Sequence, residues 1–410
     1  MIRYTYYVLL LITLISGWLV PHQARSATDA QNVHETNAEY IKNHFAEQLT
    51  DPEAKKRRTF SQFGYGLSFF TVPLFPITDF IEPDDYGQHS YGRPDIKEKN
   101  GALYTCRGGF IDFSHMRAAA DWVVFLTFKM ITEPKGFDLP YEGGELRLDL
   151  KKVSTLPLDD IAAMAQKIAF ERLEWHEIAS WHYHQPNYTF DERQSCFTPE
   201  DTYSNCLGTR IGHNITLRIL TKRENLTYSE IASDEIQKMI ASLEPVKSKK
   251  ETKEAYDIVD RAKQIDLPEA DRNRDVWWDS KVIFRDERYV FKRSINIGPT
   301  ISPWLVPHEE KLGCLVNTQA QVWPVPAKAK SGTRFYSYYT FTIHPDSLLF
   351  YSKNGHKQLH PPFGTFVSKD MAKIRDFVAR EMQKELTPGF SRRDKKDPEK
   401  HYKHLKKVIF

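Results

Sequence analysis

Apolar and polar positions alternate differently along successive stretches of this chain. From Tyr7 to Val20 the residues are apolar apart from Thr13, Ser16 and Gly17, a run too short to cross a bilayer comfortably, which takes about 20 apolar residues. Arg3 precedes it and Ala24-Arg25-Ser26 follows, with small residues where a signal peptidase reads. A basic start, short apolar core and small-residue exit predict a secretory signal peptide cleaved near residue 26. From Thr28 to Arg58 the chain is polar with a modest helical pattern at Tyr40, Ile41, Phe45 and Leu49. Between Phe60 and Pro94, Gly, Pro and aromatic residues erase any helical period, which predicts an extended, partly buried connector.

Helical spacing then takes over. Asp112 or Ser114 can cap a helix running to about Met130, with Met116, Ala120, Val123 and Thr127 on one stripe. Leu158-Asp159 opens a second, to about Trp181, whose apolar face is Ile161, Met164, Ala165, Ile168, Trp175 and Ala179. A third is announced by Thr198-Pro199-Glu200-Asp201, with a hydroxyl at the N-cap, Pro at the first helical position and an acid at the third. Tyr203, Cys206, Leu207, Arg210 and Ile211 continue it, and Gly208 or Gly212 can end it. Glu244 to Asp275 is charge-rich and reads as a solvated connector with a short helix. Beyond it the period becomes two, at Lys281–Phe284, Arg288–Phe291 and Phe335–Ile343. A last helix is expected from Ser368 to about Leu386, before a tail rich in Lys and Arg. The pattern is α+β: a mostly helical N-terminal domain followed by a β-rich C-terminal domain. It divides the chain into a signal peptide (1–26), a polar segment (27–59), a helical domain (60–245), a connector (246–275), a β-rich domain with its final helix (276–386) and a basic tail (387–410).

Composition narrows the classes. The net charge of +3 over 410 residues gives no reason to expect nucleic acid as a partner. The four cysteines, at 106, 196, 206 and 314, are few for a disulfide scaffold, but export permits pairing. Cys196 and Cys206 are closest in sequence and make the simplest loop.

The polar residues on the three helices are where chemistry can reside. Gly108-Gly109 allows a close backbone approach, and His115 lies on the same helix face as Asp112, available as a base or metal ligand, or as a core histidine beside a cap. Arg117 and Asp121, one turn apart, are expected to pair. His176-Glu177 invites comparison with the zinc-protease pair of histidines four apart, but the fourth position onward is Ser180. His182 comes about 240° further round the helix, so a metal there needs the helix to end near Trp181, leaving His182 and His184 on an extended segment with His115 or Glu177 completing the set. Otherwise Glu174 and Glu177 simply face solvent. On the third helix Glu200, Ser204 and Gly208 are spaced by four, beside Asp201 and Asn205, and leave room for a close polar neighbour or a ligand. Cys106 beside Arg107 offers a Cys–His alternative.

Arg107-Gly108-Gly109-Phe110-Ile111-Asp112-Phe113-Ser114-His115-Met116-Arg117 with Asp121-Trp122, then His176-Glu177-Ile178-Ala179-Ser180-Trp181 and Phe197-Thr198-Pro199-Glu200-Asp201, resemble signatures of the family called domain of unknown function 4056. Trp277-Trp278-Asp279 and Pro303-Trp304-Leu305-Val306-Pro307 resemble its second half. The resemblance implies a bacterial exported protein, periplasmic or secreted, and supplies no activity.

Two functions fit these residues. One is a hydrolase or transferase on an envelope substrate, metal-dependent or acid/base. In it His115 is the general base, Glu177 an acid/base or metal ligand, Ser204 a nucleophile or, with Asn205, a substrate contact, and Arg117, Asp121, Glu200 and Asp201 bind substrate. The other is a non-catalytic envelope binding or assembly protein in which the same polar groups fix helix packing. The partner in either case is an envelope lipid, glycan or protein, and the basic tail can touch an anionic membrane surface.

Overall fold

The computed structural model describes residues 27–52, 71–72, 75–76, 80–92, 98–141, 144–182, 199–265, 300–306, 312–315, 318–345, 366–367 and 375. The apolar N-terminal run, Cys196, His184, the strands expected at 281–284 and 288–291, the Trp277–Trp278 pair and the basic tail lie outside them. So does the final helix expected from Ser368, apart from Arg375, which is helical.

Chain order begins with α1 (Ala27–His44), the short paired strands β1 (Thr71–Val72) and β2 (Phe75–Pro76), and a hairpin of β3 (Ala102–Thr105) and β4 (Gly109–Asp112). The hairpin runs directly into α2 (Phe113–Thr132), which is followed by β5 (Gly136–Tyr141) and β6 (Gly144–Leu150). Three helices come next: α3 (Leu158–His182), α4 (Pro199–Leu217) and α5 (Tyr228–Ser242). Then come α6 (Lys249–Ile265), β7 (Thr300–Ile301), β8 (Trp323–Pro324), β9 (Tyr339–Pro345) and β10 (Phe366–Val367). The class is α+β with small antiparallel sheets, mostly helical in the N-terminal part. No helix among the described residues is long and apolar enough to cross a membrane.

Helix α2 is the centre of the molecule. Trp122, Val123, Val124, Leu126, Phe128 and Met130 are all fully buried, so apolar side chains leave it in every direction, the mark of a helix enclosed on all sides. Helices α1, α3 and α4 pack around it. Gly208 and Gly212 do not end α4 as expected; they sit within it, facing α2. A Cβ on Gly208 would lie 2.0 Å from the Met116 carbonyl oxygen, and one on Gly212 would lie 2.4 Å from that of Ala120. The two backbones can approach this closely because those side chains are missing.

A four-stranded antiparallel sheet, β10-β9-β6-β5, joins the two parts of the chain: β9 pairs with β6 along its whole length, from Gly144↔Pro345 to Leu150↔Tyr339. Leu146, Leu148 and Leu150 point inward while Arg147 between them is exposed, the period of two that one buried face imposes. The strand expected over 335–343 begins later, because Phe335–Ser337 forms a 3-10 turn.

The charge-rich connector contains the 17-residue helix α6. Thr252, Ala255 and Tyr256 bury one side of it, and the Thr252 hydroxyl accepts from the Tyr104 N–H (3.2 Å). The β3–β4 hairpin is therefore held from several directions. The Val306 N–H donates to the Tyr104 hydroxyl (3.0 Å), and a disulfide joins Cys106 to Cys314 with Cα atoms 5.5 Å apart. Gly109, at φ +65°, brings its α-carbon so near Trp304 that a Cβ would meet the Trp304 carbonyl oxygen at 2.1 Å. This is the close approach read from Gly108-Gly109. The expected Cys196–Cys206 bridge is corrected: Cys206 is a free thiol in the core between α4 and its neighbours, and the disulfide is a long-range one.

Candidate functional site

Asp112, the last residue of β4, converts strand into helix. Its backbone is extended (φ −85°, ψ 112°), and its Oδ1 accepts from the N–H groups of Ser114 (2.7 Å) and His115 (3.1 Å), satisfying donors that a helix start leaves without partners. That leaves Oδ2, which lies 3.6 Å from His115 Nδ1. From α4, in its first turn, Asp201 Oδ1 approaches the same ring nitrogen to 3.0 Å. From the C-terminal part of α3, Glu177 Oε1 stands 3.9 Å from the other ring nitrogen, Nε2. Ser204 ties α4 to the cap: its Oγ accepts the Asp112 N–H at 2.8 Å. Three carboxylates from three chain segments thus surround one imidazole.

The cluster is deeply placed. Exposure is 6% for His115, 4% for Glu177, 3% for Asp112 and 1% for Asp201. Burial works against the charged imidazole, but the Asp201 and Asp112 carboxylates outweigh it and hold the His115 pKa well above its ordinary value. Yet Nδ1 makes no hydrogen bond: the Asp112 oxygen is beyond hydrogen-bond range at 3.6 Å, and the contact with the Asp201 oxygen at 3.0 Å is an ion pair. Asn205, one turn beyond Asp201 on α4, is also buried, with no hydrogen-bond partner for its Oδ1 among the described residues. Among the described residues, Asp112, His115 and Asp201 form a set of metal-capable donors, one atom from each lying within 4.8 Å of the others.

Glu174 and Glu177 do not face solvent, as a simple amphipathic reading of α3 has it; both are buried. Glu174 belongs to an adjoining cluster with Arg375 (2.5 Å) and Glu171, where Lys167 and the Tyr339 hydroxyl also reach Glu171. Burial pushes the Glu174 pKa up to about 7, against the opposing pull of Arg375.

Arg117 and Asp121 are placed elsewhere. They lie about 200° and 240° round the helix from His115, and belong to a second buried network. Arg117 pairs with Glu98 (3.3 Å) and donates to the Tyr86 carbonyl (2.6 Å), rather than to Asp121 as expected. Asp121 accepts from His89 (2.8 Å), the Tyr228 hydroxyl (2.5 Å) and the Gly92 N–H (2.9 Å). His89, Glu98 and Tyr228 had no local sequence signal toward α2, since their partners there are distant in the chain: 32 residues separate His89 from Asp121 and 107 separate Tyr228 from it, and Glu98 pairs with Arg117. Glu200 is buried beside Asp201 in the first turn of α4. Helix α3 is helical through His182, close to the end expected near Trp181, and His184 lies outside the described residues; His176 is partly buried and is not one of the three residues of the metal-capable set. Cys106 is committed to its disulfide, which removes the Cys–His alternative. A cleft of about 850 Å³ elsewhere, lined by Tyr40, Tyr91, Arg223 and Tyr228 among others, takes no residue from the His115 cluster.

A helical domain whose central helix begins at a buried His–carboxylate cluster is the class that fold and site define. The match that names it covers residues 48–307: the chain belongs to the family described as Protein of unknown function (DUF4056). Every residue of the cluster lies within the matched span. No curated protein and no solved structure matches the chain.

Proposed function

We propose that the protein is exported to the bacterial cell envelope and acts there as a hydrolase or transferase whose reaction centre is the His115 cluster. The observation that carries this reading is the meeting of Asp112, Glu177 and Asp201 around one imidazole, at 3.0 to 3.9 Å. Buried charge of this density costs more than apolar packing of the same volume, and such clusters are concentrated where proton transfer or ligand binding needs them. His115 and Glu177 are the groups that handle protons. Ser204, whose hydroxyl is engaged by the Asp112 N–H, is better suited to positioning than to nucleophilic attack. Asn205 is the group best placed on α4 to meet a substrate or ion. Export rests on the Tyr7–Val20 run and the Ala24-Arg25-Ser26 exit; intact mass of the protein from its host should show loss of about 26 residues.

The depth of burial favours a second reading, in which the cluster is a packing device of a non-catalytic binding or assembly protein. Complementation separates the two. In a host lacking the gene, Glu177→Gln and His115→Ala expressed at wild-type level should fail to restore envelope integrity, scored by detergent sensitivity, while keeping the wild-type circular dichroism. Full restoration by both variants would end the reaction-centre reading.

A further inference from the structure

Two buried His–carboxylate networks adjoin α2. Around His89 the carboxylates are filled by donors. Asp121 takes His89, the Tyr228 hydroxyl and the Gly92 N–H, while Glu98 takes the Ser90 N–H and hydroxyl and the Asn100 amide. Around His115 the ring nitrogen Nδ1 is buried and close to two carboxylate oxygens, at 3.0 and 3.6 Å, yet hydrogen-bonds to neither. That is the arrangement of donor atoms that face a common point rather than each other.

We propose that Asp112 Oδ2, His115 Nδ1 and Asp201 Oδ1 bind one divalent transition-metal ion. His115 Nδ1 lies 3.6 Å from Asp112 Oδ2 and 3.0 Å from Asp201 Oδ1, and one donor atom from each of the three residues lies within 4.8 Å of the others, close to the roughly 3–4 Å separations of donors about 2.1 Å from a shared ion. The surroundings are those of a ligand set. Asp112 has its other oxygen fixed by two backbone N–H groups, which orients the one that remains. Glu177 stands at the opposite ring nitrogen, 3.9 Å from Nε2. A carboxylate there favours the tautomer with its proton on Nε2 and the Nδ1 lone pair directed at the metal. Two carboxylates with one imidazole select Mn²⁺, Fe²⁺ or Zn²⁺ over Mg²⁺ or Ca²⁺, which prefer all-oxygen sites. The inference deepens the reaction-centre reading: a bound ion supplies Lewis acidity there and leaves Glu177 as the acid/base group.

The test uses the mature protein, stripped with chelator, then titrated with Zn²⁺ and with Mn²⁺ by calorimetry. Metal content after gel filtration is measured in parallel. One ion per chain is expected. Asp201→Asn and His115→Gln, each first checked for wild-type circular dichroism, should weaken binding more than about tenfold, since even outer-shell changes cost that much. The metal-induced rise in melting temperature should vanish with it. Absence of stoichiometric binding, or binding unchanged in both variants, overturns the site. Complementation distinguishes the two claims. Failure by Glu177→Gln without any bound ion sinks the metal alone; bound metal with full complementation by Glu177→Gln sinks the reaction centre alone.

Discussion

Asp112 does two jobs with two oxygens, and substitutions can separate them. Asp112→Ala removes the cap of α2 and should lower unfolding free energy by about 1–2 kcal/mol in urea titrations. Asp112→Asn keeps an acceptor for the Ser114 and His115 N–H groups and should cost markedly less. Equal losses would show that the cap is not what Asp112 contributes. Glu174 makes a pH-dependent claim. Its folded pKa is raised to about 7 by burial, so across the range from its ordinary 4.5 to about 7 the folded protein holds a proton that the unfolded chain gives up. Its contribution to stability is fully present below about 4.5 and is lost as pH rises through about 7. Arg375, Glu171 and Lys167 face it, and all three remain in Glu174→Gln. That variant should therefore gain stability relative to wild type between about pH 5 and 8, measured by urea midpoints; parallel profiles would contradict it. Cys206 is buried and its thiol pKa is pushed up to about 12 by burial. Iodoacetamide followed by peptide mapping should label it only after unfolding, and rapid labelling of the native protein would place it outside the core.

At the level of elements, the α2–α4 contact governs the site, because it sets His115 against Asp201. Gly208→Ala drives a methyl group into the Met116 carbonyl, 2.0 Å away, and should destabilise by about 1–3 kcal/mol or more. An unchanged urea midpoint would mean the helices are not held this close. The same helices show how much was legible in the sequence. The bounds of α2 and α3 follow from apolar spacing and caps, and the chemistry-bearing positions Asp112, His115, Glu177 and Asp201 stand out as polar groups on otherwise apolar helices. The role of Gly208 was not legible, since a glycine reads locally as a helix end and only the partner helix makes it a contact. Two elements carried local signals that the periodicity argument passed over: the alternation Leu146-Arg147-Leu148-Asp149-Leu150 of β6, and the capping box formed by Thr227 and Glu230 at the start of α5.

For the molecule as a whole, the long-range links escape sequence reasoning because nothing local encodes them. Cys106 and Cys314 are 208 residues apart, whereas spacing alone singled out Cys196 and Cys206. The bridge pins the β3–β4 hairpin, from which α2 and the cluster start. Replacing both cysteines with Ala should cost about 2–4 kcal/mol, read from denaturant midpoints of oxidised wild type and variant. Similarly, the partner of β6 is β9, which comes after α3, α4, α5 and α6 in the chain. The central claim is that the His115 cluster is kept for function and not for packing. It is tested most directly by the unfolding free energy of Glu177→Gln in chelator-treated protein. Removing one of three carboxylates crowded round a single imidazole should leave stability unchanged or raise it, as substitutions at functional sites commonly do. A loss of about 3–5 kcal/mol, the cost of breaking a buried ion pair that holds a fold together, would contradict the claim and make the cluster structural.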